Sequence, residues 1–214
     1  MRAVSPAALA AHGLACVRGD HLIFENLDFA ASAGELWQIT GPNGAGKTSL
    51  LRLLAGLAQP AAGTVRWRGA PLPTGRDALH ADLQFLGHLP GVSGALSASE
   101  NLQHARQLAA VPTALPIDAA LMAMGLADKH DVPAYRLSAG QRQRLALARF
   151  LLAKATLWIM DEPFTALDDA GRRQAERLLL QHVAEGGIAV VSTHHALDIP
   201  ATHLRRLELA GVAA

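Results

Sequence analysis

Leu137-Ser138-Ala139-Gly140-Gln141 opens a helix: a serine followed three residues later by glutamine is a capping-box pattern, and Leu145, Ala146, Ala148, Arg149 and Leu152 continue it at helical spacing. Two landmarks bracket these five residues. Upstream, Gly41-Pro42-Asn43-Gly44-Ala45-Gly46-Lys47-Thr48 fits the spacing G-x-x-x-x-G-K-[ST]. Downstream, the apolar run Leu157-Trp158-Ile159-Met160 ends in Asp161-Glu162. Many nucleotide enzymes carry such a loop, and many carry such an aspartate. The pentapeptide between them is the rarer signal.

The upstream loop has a definite physical meaning. Its glycines let consecutive backbone N–H groups turn inward around an anion. The helix that follows points its positive end at the same place. Lys47 supplies a point charge for the β- and γ-phosphates of ATP, and Thr48 a hydroxyl for Mg²⁺. The context agrees, because Leu36 to Thr40 reads as a short buried strand before the loop and Lys47 to Leu57 as a helix after it.

The downstream run reads as a buried strand that delivers Asp161 to the C-terminal edge of a sheet, where ligands sit in open α/β folds. Asp161 is the candidate magnesium holder beside Thr48. Glu162 is placed to polarise an attacking water, against the blander alternative of a solvated surface acid. A helix-cap role for Asp161 is disfavoured by Pro163.

Around these landmarks the chain is organised in thirds. Met1 to Ala15 reads as a ragged lead-in without the long apolar core of a secretion signal. Gly63 to Gly69 alternates like an edge or hairpin strand, and Leu83 to Leu86 is a further short strand candidate. From about His88 to Leu152 the pattern turns helical, with a capping box at Ser97-Ala98-Ser99-Glu100 and a helix with Pro116 as its first residue. Thr156 to Met160, Ile188 to Ser192 and Leu204 to Leu209 read as strands, and Asp168 to Glu185 as a helix ended by Gly186-Gly187. Strands separated by helices imply a mainly parallel sheet covered on both faces.

With 214 residues, half of them apolar, the chain suits one large domain. A formal net charge of +1 gives no reason to expect a nucleic-acid partner. The single cysteine, Cys16, rules out an intrachain disulfide and suits a reducing compartment. No apolar run approaches the ~20 residues of a membrane helix, so work at a membrane would need a carrier subunit.

The loop, Leu137–Gln141, the Asp-Glu run, Phe164-Thr165-Ala166-Leu167-Asp168 and Ser192-Thr193-His194 stand in the order seen in ATP-binding-cassette ATPases, and the chain resembles that family along essentially its whole length. The resemblance implies an α/β P-loop domain spanning 1–214: a mixed, mainly parallel sheet, an antiparallel β subdomain, and a helical subdomain at about 88–152. It implies ATP and Mg²⁺ as cofactors, and a homodimer formed on ATP binding. Ser138, Gly140 and Gln141 would face the γ-phosphate held by the other copy's Lys47, with Ala139 in place of the usual glycine. Asp168 would link the two sites, and His194 would reach the γ-phosphate. His195 has no matched role.

Two departures stand out. His88 occupies the position where the family usually has glutamine, close to Mg²⁺, while Gln84 falls four residues early. The aromatic that usually stacks on adenine is missing, which leaves Arg18, Phe24 or weaker base recognition as alternatives.

Finer cues narrow the resemblance. Gly87-His88-Leu89-Pro90-Gly91, Leu96 to Leu102, Trp37 to Asn43 and Ala155 to Asp168 are similar to the bacterial haem-exporter ATPases of cytochrome c maturation. That implies a peripheral subunit on the cytoplasmic face of the inner membrane. Its partners would be the integral membrane subunits of a haem-handling transporter. ATP hydrolysis would drive release of a haem-loaded periplasmic chaperone. The chain has no Cys-x-x-Cys-His, so no direct haem contact is expected. An ATPase of another importer or exporter, or a cassette protein acting on nucleic acid or ribosomes, remain the alternatives.

Overall fold

The structure is a computed structural model and describes residues 7–210. In chain order it runs β1 (Leu9–Arg18), β2 (His21–Ala31), β3 (Leu36–Thr40), α1 (Lys47–Leu54), β4 (Ala62–Trp67), β5 (Ala70–Pro71), α2 (Arg76–Asp82) and β6 (Leu83–Leu86). Then come α3 (Ala98–Leu108), α4 (Ile117–Ala123), α5 (Ala139–Ala148), β7 (Leu157–Asp161), α6 (Asp169–Ala184), β8 (Ile188–Ser192) and β9 (Leu204–Glu208).

The strands form two sheets. One is antiparallel, in the order β2-β1-β4-β5, and the other has the order β6-β7-β8-β3-β9 with parallel pairing throughout. Alternation along the parallel strands divides the core. Leu157, Ile159, Ile188 and Val190 face α1 and the antiparallel sheet, while Trp158, Met160, Ala189 and Val191 face the helices α3 to α6. Every residue of β7 and β8 is buried, as strands covered on both faces must be. Because the strands are parallel, the ends of β3, β6, β7 and β8 meet at one edge. There the chain enters the glycine loop, the segment of His88, the Asp161–Glu162 pair and Ser192.

Three expectations need correction. Beyond Met1 to Pro6, which lie outside the described residues, the supposed lead-in is strand: Leu9, Ala11 and Leu14 are fully buried in β1. Register shifts between Ala11 and Leu14, and again on to Cys16 and Val17, break the two-residue period. Alanines with low strand propensity hide the rest. Pro116 is the N-cap of α4 rather than its first residue, with ψ 146°. The helix after the glycine loop stops at Leu54, before Gly56 turns with φ +66°. The short α2 is an addition to the elements expected from the sequence.

Candidate functional site

The glycine loop joins β3 to α1 and curls around its own lysine. Lys47 Nζ donates to the carbonyls of Gly41 (2.8 Å) and Pro42 (3.1 Å) and lies 3.1 Å from His194 Nε2. With the ammonium donating, that ring nitrogen is the unprotonated one. Gly46 caps α1 at φ +93°, and a Cβ there would fall 2.5 Å from Ile23 Cγ2. The β2 strand therefore presses against the loop, and only glycine fits.

Across the edge of the sheet stands Asp161, buried at 3% exposure. Thr48 Oγ1 donates to its Oδ2 at 2.7 Å, and Ser192 Oγ donates to its Oδ1 at 2.6 Å. The ladder pairs Asp161 with Ser192, so the two strand ends arrive together. The amide of Glu162 donates to Ser192 O (3.1 Å) and Oγ (3.0 Å), which holds Glu162 at φ +50°. A non-glycine residue in that region is strained and persists only where its surroundings fix it. The Glu162 carboxylate lies 3.7 Å from His194 Nε2, beyond hydrogen-bond distance. Burial pushes the Glu162 carboxyl pKa up, against the opposing pull of His194 and Lys47.

Lys47, Thr48, Asp161 and Glu162 line a cavity of about 300 Å³ together with Arg18, Asn43 and His88. A cation, a hydroxyl paired with a carboxylate, and a second carboxylate of raised pKa thus face one space. Such a set can bind a polyphosphate, hold a hard divalent cation through oxygen donors, and accept a proton from water. Arg18 and Ile23 approach from the β1–β2 hairpin. Phe24, considered above as a base-stacking alternative, is only 5% exposed and packs into the core beside Gly46. That leaves Arg18.

Ser138, Gly140, Gln141 and Asp168 are not in this cavity. Ser138 Oγ accepts from Gln141 N (3.1 Å) and Ser138 N donates to Gln141 Oε1 (2.9 Å), so the capping box forms as read. The serine hydroxyl proton stays available to a further acceptor. A Cβ on Gly140 would fall 2.6 Å from Ala166 O, so glycine lets α5 meet the segment that follows Glu162. Gln143 Nε2 ties the same two pieces together at Pro163 O (2.9 Å). Asp168 Oδ1 accepts from Gly171 N at 2.8 Å and is the N-cap of α6.

Sequence reasoning missed Ser192 as a partner of Asp161, and Gln38, whose Nε2 holds His195 O at 2.8 Å and so shapes the turn carrying His194. Ser192 had a signal, being the one polar residue that ends an otherwise apolar buried strand. Gln38, buried at 3% exposure in β3, had none beyond its oddity in an apolar run. His195 contributes its carbonyl here, and its ring stands nearly perpendicular to that of Phe164.

The profile of the family described as ABC transporter matches residues 24–165. The chain is 49% identical over 197 residues to the cytochrome c biogenesis ATP-binding export protein CcmA of Methylococcus capsulatus, covering 92% of this chain and 95% of that one. It is 46% identical over 201 residues to the protein of the same name in Escherichia coli K12, covering 94% and 96%. Among solved structures it is similar to the ATP-binding cassette MJ0796 in a dimeric post-hydrolysis state bound to ADP and Pi, with TM-score 0.75, 23% identity, and coverage of 87% and 88%. It is similar also to cbiO1 of Clostridium perfringens, part of the ABC transporter complex cbiONQ, with TM-score 0.72, 25% identity, and coverage of 89% and 80%. The order of the motifs, the two-sheet architecture and these matches agree: the chain belongs to the ABC transporter family, among the cytochrome c biogenesis ATP-binding export proteins.

Proposed function

We propose that the chain is the ATP-binding and hydrolysing subunit of a haem-export transporter in cytochrome c biogenesis, and that its turnover powers release of a haem-loaded periplasmic chaperone. The observation that carries the ATPase part is the convergence of Lys47, Thr48, Asp161 and Glu162 on one cavity, with His194 beside Lys47 and Glu162. The transport part rests on the names of relatives that match almost end to end.

In this reading the loop amides and Lys47 bind the β- and γ-phosphates. Thr48 and Asp161 would hold Mg²⁺. Their oxygens are 2.7 Å apart and offer one carboxylate and one hydroxyl, the sparse hard-donor set that magnesium takes when phosphates and waters complete its shell. When bound, the metal would neutralise charge developing on the phosphates. Ser192 fixes the Asp161 carboxylate from its other side. Glu162 orients a water and takes its proton, helped by a carboxyl pKa raised by burial. His194 stands beside both Lys47 and Glu162, where it can follow the γ-phosphate. His88 lines the same cavity and serves in place of the usual glutamine.

The signature residues Ser138, Gly140 and Gln141 lie outside that cavity. Two copies arranged head to tail would bring the N-terminus of α5 of one onto the nucleotide of the other, with Asp168 near the junction. Among the described residues no helix is long and apolar enough to cross a membrane. In the proposed reading the chain works as a peripheral subunit on the cytoplasmic face, docked on integral membrane partners.

Glu162→Gln tests the site: steady-state hydrolysis should fall by about 100-fold or more while ATP binding persists. An unchanged rate removes Glu162 from its role. Affinity capture from membranes tests the wider reading. Recovery of haem-handling membrane subunits supports it, and recovery with a soluble substrate-binding protein refutes it.

A further inference from the structure

Residues 87–92 leave β6 without regular structure, carry His88 into the nucleotide cavity, and rejoin packed structure at Val92. Leu86 is buried before the segment, but Leu89 within it is 79% exposed and anchors nothing. The side-chain hydrogen bonds that reach it come from Arg149. Its Nη1 donates to Pro90 O at 3.0 Å and to Gly91 O at 3.1 Å. Gly91 turns there with φ +65°, and a Cβ on it would fall 2.9 Å from the same Nη1, so the loop is shaped to the guanidinium. The guanidinium is half-buried against neutral carbonyls, and that burial lowers the Arg149 pKa.

Arg149 is also the C-cap of α5, whose N-cap is Ser138. The two residues stand at opposite ends of one rigid rod of roughly 16 Å.

We propose that Arg149 is a positioning residue: its clamp on Pro90 and Gly91 sets where His88 stands in the cavity and ties that position to the helix that begins at Ser138. A tilt of α5 is passed through the guanidinium to the His88 loop. The half of the site that holds a nucleotide thereby senses the half that would contact a second copy. Arginine suits the task because the two N–H bonds of Nη1 are fixed in the plane of the guanidinium and each meets one of two adjacent carbonyls, a direction that a lysine ammonium on a flexible stem does not hold. The proposal rests on the reading of the cavity as a nucleotide site.

The test uses the full chain with labelled histidines, the His88 ring signal being assigned through His88→Gln. Wild type, Arg149→Met, Arg149→Lys and Gly91→Ala are titrated with ATP and Mg²⁺, and kcat and KM are measured alongside thermal unfolding. In Arg149→Met and Gly91→Ala the His88 signal should leave its wild-type position. The kcat should fall roughly 10-fold or more, with KM changed by less than about 3-fold, since misplacement of a reacting group acts on turnover. Arg149→Lys should recover part of the rate, and Arg149→Met should cost nothing further in a His88→Gln background. A His88 signal and kcat that match wild type in Arg149→Met overturn the clamp. So does a loss of rate that merely follows loss of folded protein in both Arg149→Met and the milder Gly91→Ala. A wild-type His88 signal indifferent to ATP overturns instead the reading of the cavity.

Discussion

Acidification should destabilise this fold through one histidine. His182 of α6 lies flat on Trp158 of β7, with ring centroids 3.7 Å apart and planes within 3°. Its Nε2 is 3.2 Å from Ile188 O and donates to that carbonyl. Burial favours the neutral ring and pushes its pKa from 6.5 to about 4. The unfolded chain takes up a proton near 6.5, so between about 6.5 and 4 it binds more protons than the fold does. Stability from the neutral ring is therefore complete above pH 6.5 and is lost as pH falls through that window. Each pH unit crossed inside the window removes about 1.36 kcal/mol, so the loss reaches about 3 kcal/mol by pH 4. Urea unfolding of the wild type and of His182→Phe, followed by circular dichroism between pH 7.5 and pH 4, isolates this effect because the carboxylates are common to both. At pH 7.5 the variant should be weaker by about 1 kcal/mol, for the lost bond to Ile188 O. The wild type should then lose its advantage and fall below the variant by pH 4. A stability difference that stays constant within about 0.5 kcal/mol over the whole range would refute the reasoning.

Three other outcomes follow from the site. Ser192→Ala removes a donor from buried Asp161 and one of two acceptors from the Glu162 amide. It should cost about 1–3 kcal/mol in thermal unfolding and lower kcat more than ATP affinity. Ser138→Arg should leave nucleotide titrations of the single chain nearly unchanged but abolish ATP-dependent dimerisation in light scattering, and a persisting dimer counts against the two-copy site. Burial raises the Glu162 pKa, so the acid limb of the pH–rate profile should lie above the ordinary glutamate value, with activity lost as pH falls through it. Residual turnover of Glu162→Gln should lack that limb.

The parts of the fold legible in the sequence are those where local chemistry and tertiary demand coincide. The Gly41–Thr48 loop needs its glycines for its own turn and for the approach of Ile23. The runs ending at Met160 and Val191 are apolar because both faces of their strands are covered. The capping boxes at Ser97 and Ser138 are written within four residues each. The β1–β2 hairpin was illegible because three shifts of register scramble the alternation that marks a strand. In the site, Lys47, Thr48, Asp161 and Glu162 could be read because each sits at a fixed step from a strand end. The partners that fix them could not. Ser192 lies 31 residues from Asp161, Gln38 lies 157 from His195, and Arg149 lies 58 from Gly91. Such contacts are products of topology: the polar end of an apolar strand marks Ser192, but single-sequence spacing does not say which residue it joins.

The lysine of the glycine loop has one more implication. An ammonium has three protons to give, and those of Lys47 meet Gly41 O, Pro42 O and His194 Nε2. In the proposed reading, nucleotide binding at Lys47 is thus an exchange of partners. Each phosphate oxygen must displace a neutral acceptor that is already in place, and the net gain is the difference between a charge-assisted bond and an ordinary one. One such exchange gives little, and several made together give a great deal. The loop consequently discriminates by the number of charged oxygens presented at once, which favours a triphosphate over a single free phosphate without any contact to the base.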